Sequence, residues 1–251
     1  MGGAEFVLSE AIRAALRAEE DCPRIGWYRP SLLPSCLRRQ FLIYKRGVIV
    51  PEEKMGLFKI GEMFHEFLDR TLKAGGLEVK EVEAPFVIVC FCSSELIRVN
   101  GRADLILSVD GEEYVVEVKS VRKLPKEPFK HHVQQLNLYL GAYGIKRGFL
   151  IYLEKQALAH RIFPVEFSLE TFKLLIDRAR ALHRHLTTDD MPKPNAEAWE
   201  CRFCEFRTEC NRGLGESTPV TKPHNGISAA GEGAAQLDGS PQTLKNRRGD
   251  G

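Results

Sequence analysis

The stretch Gly101-Arg-Ala-Asp-Leu-Ile-Leu-Ser-Val-Asp-Gly-Glu-Glu-Tyr-Val-Val-Glu-Val-Lys-Ser120 sets two β-rich runs around an Asp110-Gly111 pair. Asp-Gly in that setting is among the strongest local hairpin signals, because both central residues of a type I′ turn take positive φ. A two-residue loop sets the register, so that 109 meets 112 and 104 meets 117. Asp104 and Glu117 become cross-strand partners with Cβ atoms roughly 4.5–5.5 Å apart, and the two-residue strand period puts Lys119 on the face of Glu117. Opposed carboxylates destabilise a sheet. A divalent cation removes the objection; oxygen ligands at this separation suit Mg²⁺ or Mn²⁺, and the lysine is placed to orient or deprotonate an activated water. Ala103, Leu105, Ile106 and Leu107 face Val115, Val116 and Val118, as in strands covered on both sides, where charges need partners. A bulge at Asp110-Gly111 would instead carry Asp104 onto the other face.

With 251 residues and 43% hydrophobic content the chain can bury a full core, and one decorated domain is expected. No segment approaches about 18 uninterrupted apolar residues, and the N-terminus lacks the form of a signal peptide. These features predict a soluble cytoplasmic protein with no membrane association. The net charge of +2 says little about nucleic acid. Lys119, Arg122, Lys123, Lys126 and Lys130, followed by His131 and His132, form a local basic stretch beside the acidic hairpin that could guide a phosphate backbone.

The spacing predicts helices over about Glu5 to Glu19, with apolar Phe6, Ile12 and Leu16, and over Cys36 to Lys45, with Pro34 in the first turn. A third runs from about Glu53 to Leu72 and stops at Gly75-Gly76. Strands follow near Val79 to Phe91, Ile97 to Val109 and Tyr114 to Val121, then a helix from Phe129 to Tyr143. Strands near Phe149 to Leu153 and Ile162 to Phe167 precede a last helix from Leu169 to Leu186. The class is α/β with a largely antiparallel start. The expected divisions are a helical region over 1–75, a core over 76–190, a cysteine segment over 191–212 and a disordered Gly/Ser/Pro-rich tail over 213–251.

Two further constellations stand out. On the third helix His65 lies beside a core-facing stripe of Leu57, Ile60, Phe64, Phe67 and Leu68. On the helix from Phe129, Val133, Leu136, Leu140 and Tyr143 form the apolar face, while His132, Gln135 and Tyr139 occupy an adjacent line. Gln135 and Tyr139, one turn apart, can act on the same ligand. The second constellation is Cys201-x-x-Cys204 with Cys210, which needs a fourth thiolate from Cys22, Cys36, Cys90 or Cys92. An odd cysteine count in an intracellular chain argues against disulfides. Cys90 and Cys92 read as small core residues, and Cys36 is the better candidate because it would tie the N-terminal cap to the C-terminal segment. Four thiolates suit zinc or an iron–sulfur cluster, and coordination chemistry alone slightly favours zinc.

Taken together, His65, Gly-Arg-Ala-Asp104, Glu117-Val-Lys119 and Gln135-x-x-x-Tyr139, bracketed by Cys36 and Cys201/Cys204/Cys210, resemble the RecB-like branch of the PD-(D/E)xK nucleases. The likeness is greatest to the CRISPR-associated exonucleases of the fourth Cas family and spans about Ser31 to Cys210. The resemblance implies a restriction-endonuclease-like central mixed sheet flanked by helices. It also implies a [4Fe-4S] cluster, less often [2Fe-2S], in place of zinc. Metal binding by His65, Asp104, Glu117 and the carbonyl of Val118 is implied with it, as is water activation by Lys119. Gln135 and Tyr139 would support the site and contact DNA. Ala103 stands where the motif's proline would be, a feature shared by many RecB-like members. Such proteins trim single-stranded DNA ends and work with the spacer integrase in CRISPR adaptation. Competing expectations are a RecB-like repair nuclease and a non-catalytic, zinc-stabilised DNA-binding module.

Overall fold

The computed structural model describes residues 2–16, 23–47 and 52–213. The chain order is α1 (Gly2–Leu16), β1 (Trp27–Tyr28), α2 (Leu37–Arg46), α3 (Glu52–Ala74), β2 (Glu78–Cys92), β3 (Glu95–Val109) and β4 (Glu112–Val121). Then follow α4 (Lys130–Tyr143), β5 (Arg147–Glu154), β6 (His160–Glu166), α5 (Leu169–Thr188), α6 (Ala198–Phe203) and α7 (Arg207–Gly213). The expected tail from 214 onward, Cys22 and the end of the first expected helix lie outside the described residues.

The Asp110-Gly111 turn has φ of 53° and 81°, the I′ combination that matches the right-handed twist of its strands. Its ladder runs from Val109↔Glu112 to Leu105↔Val116 without a bulge, so the register is the one the two-residue loop demands. β3 organises the sheet. One of its sides pairs antiparallel with β2 along nearly its full length, and the other pairs parallel with β1 at its start and antiparallel with β4 at its end. β4 and β5 run parallel across the α4 crossover, and β6 returns antiparallel. The result is a six-stranded mixed sheet flanked by helices.

Alternation along β4 and the end of β3 sorts side chains into two cores. Ile106 and Val115 join the main core with α2, α4 and α5, while Leu105, Leu107, Val116 and Val118 meet Phe64 and Leu68 of α3 in a smaller one. Glu117 therefore points to the α4 side. Gly148 permits the close approach of α4 and β4 to β5, since a Cβ there would sit 2.5 Å from the Val115 carbonyl oxygen. Leu136 is fully buried at this contact, and its truncation to Ala would cost about 2–5 kcal/mol.

Two local expectations differ from the structure. α2 begins at Leu37 with Cys36 as its N-cap, and Pro34 lies in the preceding turn. Its first N–H groups are satisfied from afar: Cys36 N donates to Glu200 Oε2 (2.9 Å) and Leu37 N to Asn195 Oδ1 (2.7 Å), so a distant segment replaces a local cap. On α3, Ile60 and Phe67 are exposed, and Phe64, Leu68 and Leu72 pack in the smaller core. On α4, His132 shares the helical line of Gln135 and Tyr139 but does not line the cavity that they do. Phe129 N donates to the Tyr152 hydroxyl (3.1 Å), which hydrogen-bonds His132 Nδ1 (2.9 Å) and so pins the start of the helix. Burial pushes the His132 imidazole down to about 2, so it is neutral there.

Candidate active site

The hairpin and two helices bring every residue singled out for the acidic site onto one cavity of about 920 Å³: His65, Asp104, Glu117, Val118, Lys119, Gln135 and Tyr139. Glu117 is 2% exposed and Asp104 8%. Glu117 Oε1 accepts from Lys119 Nζ (2.5 Å) and Gln135 Nε2 (2.8 Å), and Gln135 also donates to the Tyr139 hydroxyl (2.6 Å). α4 thus braces the carboxylate through two side chains one turn apart. Both donors fall on one oxygen. Glu117 Oε2 is buried without a hydrogen-bond partner, a costly condition for an acceptor unless something else compensates it. Asp104 Oδ2 accepts the Val118 N–H (2.7 Å) and lies 3.6 Å from His65 Nε2.

Glu83 belongs to this site and was not among the expected residues. Its Oε1 lies 3.5 Å from His65 Nδ1. His65, Glu83 and Asp104 form the one group of three or more possible metal ligands, among the described residues, whose ligand atoms come within 4.8 Å of one another. The β2–β3 pairing explains its position. Val82↔Leu105 and Ala84↔Ala103 flank it, which sets Glu83 opposite Asp104, and Glu83 itself takes φ 50°. A non-glycine residue in the left-handed region is under strain of order 1–3 kcal/mol. A signal existed: had Ser93-Ser94 been read as a two-residue turn, Cys92 would oppose Glu95 and Glu83 would fall across from Asp104.

The donor chemistry fits a divalent cation: two buried carboxylates, one of them with an orphaned oxygen, an imidazole and a half-exposed carboxylate. Electrostatics agree. Burial, partly offset by Lys119 and the Val118 N–H, raises the Asp104 carboxyl to about 6. Burial and the adjacent Asp104, opposed by Lys119, raise Glu117 to about 7. Burial pulls the Lys119 ammonium down, yet Glu117 and Asp104 together leave it raised, so it is a cation here.

A pH dependence follows. Above the ordinary carboxylate range and below these raised values, the folded chain holds more protons than the unfolded chain. This share of stability is complete below about pH 4 and is lost as pH rises through about 6 to about 7. The ion-free protein should melt several degrees lower at pH 8 than at pH 5, with Mn²⁺ recovering the difference at pH 8. Thermal unfolding with and without Mn²⁺ checks this, and Glu117→Gln should flatten the profile.

The cysteines converge separately. Cys36, Cys201, Cys204 and Cys210 line one cavity of about 180 Å³. Around it Arg39 makes a forked pair with Glu205 (3.0 and 2.9 Å), Arg38 Nε donates to the Pro192 carbonyl (2.8 Å), and Arg46 pairs with Glu209. Cys90 and Cys92 sit on β2 at the main core instead. Four sulfurs around one small cavity fit a metal or cluster held by thiolates.

The profile of the PD-(D/E)XK nuclease superfamily matches residues 59–211 of the chain. The chain belongs to the PD-(D/E)XK nuclease superfamily. It is an enzyme of that class, a phosphodiester hydrolase dependent on a divalent metal. It is 27% identical over 152 residues, 60% of this chain and 70% of the relative, to the CRISPR-associated exonuclease Cas4 of Saccharolobus solfataricus strain P2. Among solved structures it resembles SSO0001, with a TM-score of 0.57, 20% identity and coverage of 84% of this chain and 96% of that one. LHK-Exo, an alkaline exonuclease from Laribacter hongkongensis, is a more distant likeness, with a TM-score of 0.40, 11% identity and coverage of 72% and 93%. The matched stretch includes Asp104, Glu117 and Lys119. No helix among the described residues is long and apolar enough to cross a membrane.

Proposed function

We propose that this PD-(D/E)XK enzyme is a DNA exonuclease that hydrolyses phosphodiester bonds at single-stranded ends, with Mn²⁺ or Mg²⁺ at His65, Asp104, Glu117 and the Val118 carbonyl. The observation that carries it is the buried, partnerless Glu117 Oε2, on a residue that lines the same cavity as Asp104. A bound divalent ion supplies charge neutralisation at the scissile phosphate and acidifies a water. The chain's own groups do the rest. Gln135, itself held by the Tyr139 hydroxyl, donates to Glu117 Oε1 and leaves Oε2 without a hydrogen-bond partner. Lys119, charged and tethered to Glu117, stands at the same carboxylate to orient the attacking water; it would accept that water's proton only as the free amine, after releasing its own proton to solvent. Arg102 and Lys155 on the cavity wall neutralise backbone phosphates. Glu83 adds an oxygen donor at the His65 side. Glu83→Gln should weaken Mn²⁺ binding about tenfold and leave the fold unchanged, as isothermal calorimetry would read.

The cysteines would hold a [4Fe-4S] cluster. The similarity to Cas4 supports this assignment and, with it, a place in CRISPR adaptation beside the spacer integrase. Digestion assays test the reading. Linear single strands should be degraded with Mn²⁺, circular single strands spared, and all cutting stopped by EDTA. Cleavage of circles would overturn the exonuclease assignment, and a preference for blunt duplex would overturn the single-strand assignment. Imidazole favours later transition metals over Mg²⁺, so Mn²⁺ should outperform Mg²⁺ at equal low concentration, and His65→Ala should narrow that gap.

A further inference from the structure

Away from the catalytic cavity, an aromatic ladder runs across the surface between α4 and the cysteine segment. Phe129 and His131 stack with centroids 5.8 Å apart at 18°, and His131 continues to Trp199 at 5.3 Å and 32°. Phe203 lies four residues after Trp199 on α6, hence on the same side of that helix. These rings are not core. Phe129 is 44% exposed, Trp199 45% and Phe203 79%. The catalytic chemistry makes no use of them.

Two grooves run along the ladder, of about 470 and 260 Å³, with His131 and Trp199 lining both. The smaller groove meets the catalytic cavity at Ser31, which lines each. Lys130 lines the larger groove, and the exposed Arg122, Lys123 and Lys126 lie on the connection that leads to it. Two of the carboxylates lining the larger groove are engaged, Glu200 accepting from the Cys36 and Glu197 N–H groups and Glu197 from Trp199 Nε1 (2.8 Å), while the third, Glu127, is exposed beside Lys126 and Lys130. Exposed flat rings, flanking cations and continuity with a phosphodiester-cleaving cavity match what an unpaired strand needs, since every base offers a face for stacking while phosphates follow the cations.

We infer that Trp199, Phe203 and the Phe129–His131 pair form a base-stacking track that holds single-stranded nucleic acid and feeds it along the Ser31 rim into the catalytic cavity. The inference rests on the single-strand reading above. A duplex keeps its bases stacked internally, so the track also favours unpaired ends over duplex.

The test uses the full-length, iron-loaded protein carrying Lys119→Ala to prevent cutting. Fluorescence anisotropy compares a labelled thymidine strand with a strand of equal length built of abasic sites. The base-bearing strand should bind about tenfold more tightly, Trp199→Ala should bring the ratio close to one at unchanged iron content, and Trp199→Phe should restore most of it. Equal affinity for the two strands in the parent protein, or a ratio that survives Trp199→Ala, overturns the inference alone and leaves the patch to a protein partner. Failure of either strand to bind overturns the single-strand reading and the track together. If Trp199→Ala loses iron, the comparison of strands on the parent protein and on Trp199→Phe still decides.

Discussion

Asp104→Ala should lower DNA cleavage by about a thousand-fold or more while the protein stays folded. Asp104 is the carboxylate that meets both the Val118 N–H and the His65 imidazole, so its loss removes a ligand of the proposed divalent ion, whose charge would stabilise the reacting phosphate, and stabilising groups of that kind are worth about 10²–10³ each in rate. The effect on stability should have the opposite sign. Without an ion, the Asp104 carboxyl is desolvated and lies against Glu117, and relief of that repulsion offsets the one lost hydrogen bond. The metal-free variant should melt no lower than the parent at pH 8, whereas Mn²⁺ should raise the melting temperature of the parent alone. Cleavage of an end-labelled strand and paired melts check both halves. Lys119→Ala should lose activity similarly, and because its ammonium is tethered to Glu117 and not to the rest of the fold, DNA affinity should change little. Full activity in either purified variant would remove the proposed site.

Loss of a single thiolate of the proposed iron–sulfur cluster is expected to have the second largest effect, and on stability more than on chemistry. Cys36 and its hydrogen-bond partner Glu200 are 164 positions apart, so a cluster joining Cys36 to Cys201 closes a loop of nearly two-thirds of the chain. A cross-link over such a loop is worth about 5 kcal/mol by chain entropy, or roughly 10–20 °C in a protein of this size. Cys36→Ala should therefore lose its iron, bleach its visible absorption and melt at least 10 °C lower. The Arg39–Glu205 and Arg46–Glu209 pairs would hold part of the contact, so the variant should still fold at low temperature. Cys90→Ser, on β2 and away from that cavity, should keep both colour and iron. Retained iron in Cys36→Ala would assign the fourth ligand elsewhere.

Sequence alone determined the parts of this protein whose physics is local. The Asp110-Gly111 turn sets one register, and that register alone brings Asp104 to Glu117 and puts Lys119 on the face of Glu117. The one-turn spacing of Gln135 and Tyr139 likewise decides that both reach one carboxylate. The tertiary structure decided what depends on distant pairing. Glu83 is one such residue: its place follows from the β2–β3 hairpin at Ser93-Ser94, a pair with a weak turn signal, and from a left-handed backbone at Glu83 itself. At that point β3 changes faces: Ala103 packs in the main core, whereas Leu105 and Leu107 pack in the smaller one. A strict two-residue period cannot describe such a switch. The partner of His132 depends on tertiary structure for a related reason, since helix spacing states which residues share a line but not which neighbour, here Tyr152 of β5, will claim one of them. Convergence of Cys36 with Cys201, Cys204 and Cys210 was conjecture until α2 was capped by Asn195 and Glu200. Short-range rules fix side-chain direction over a few residues; which elements then meet is settled by the burial and hydrogen bonding of the whole sheet.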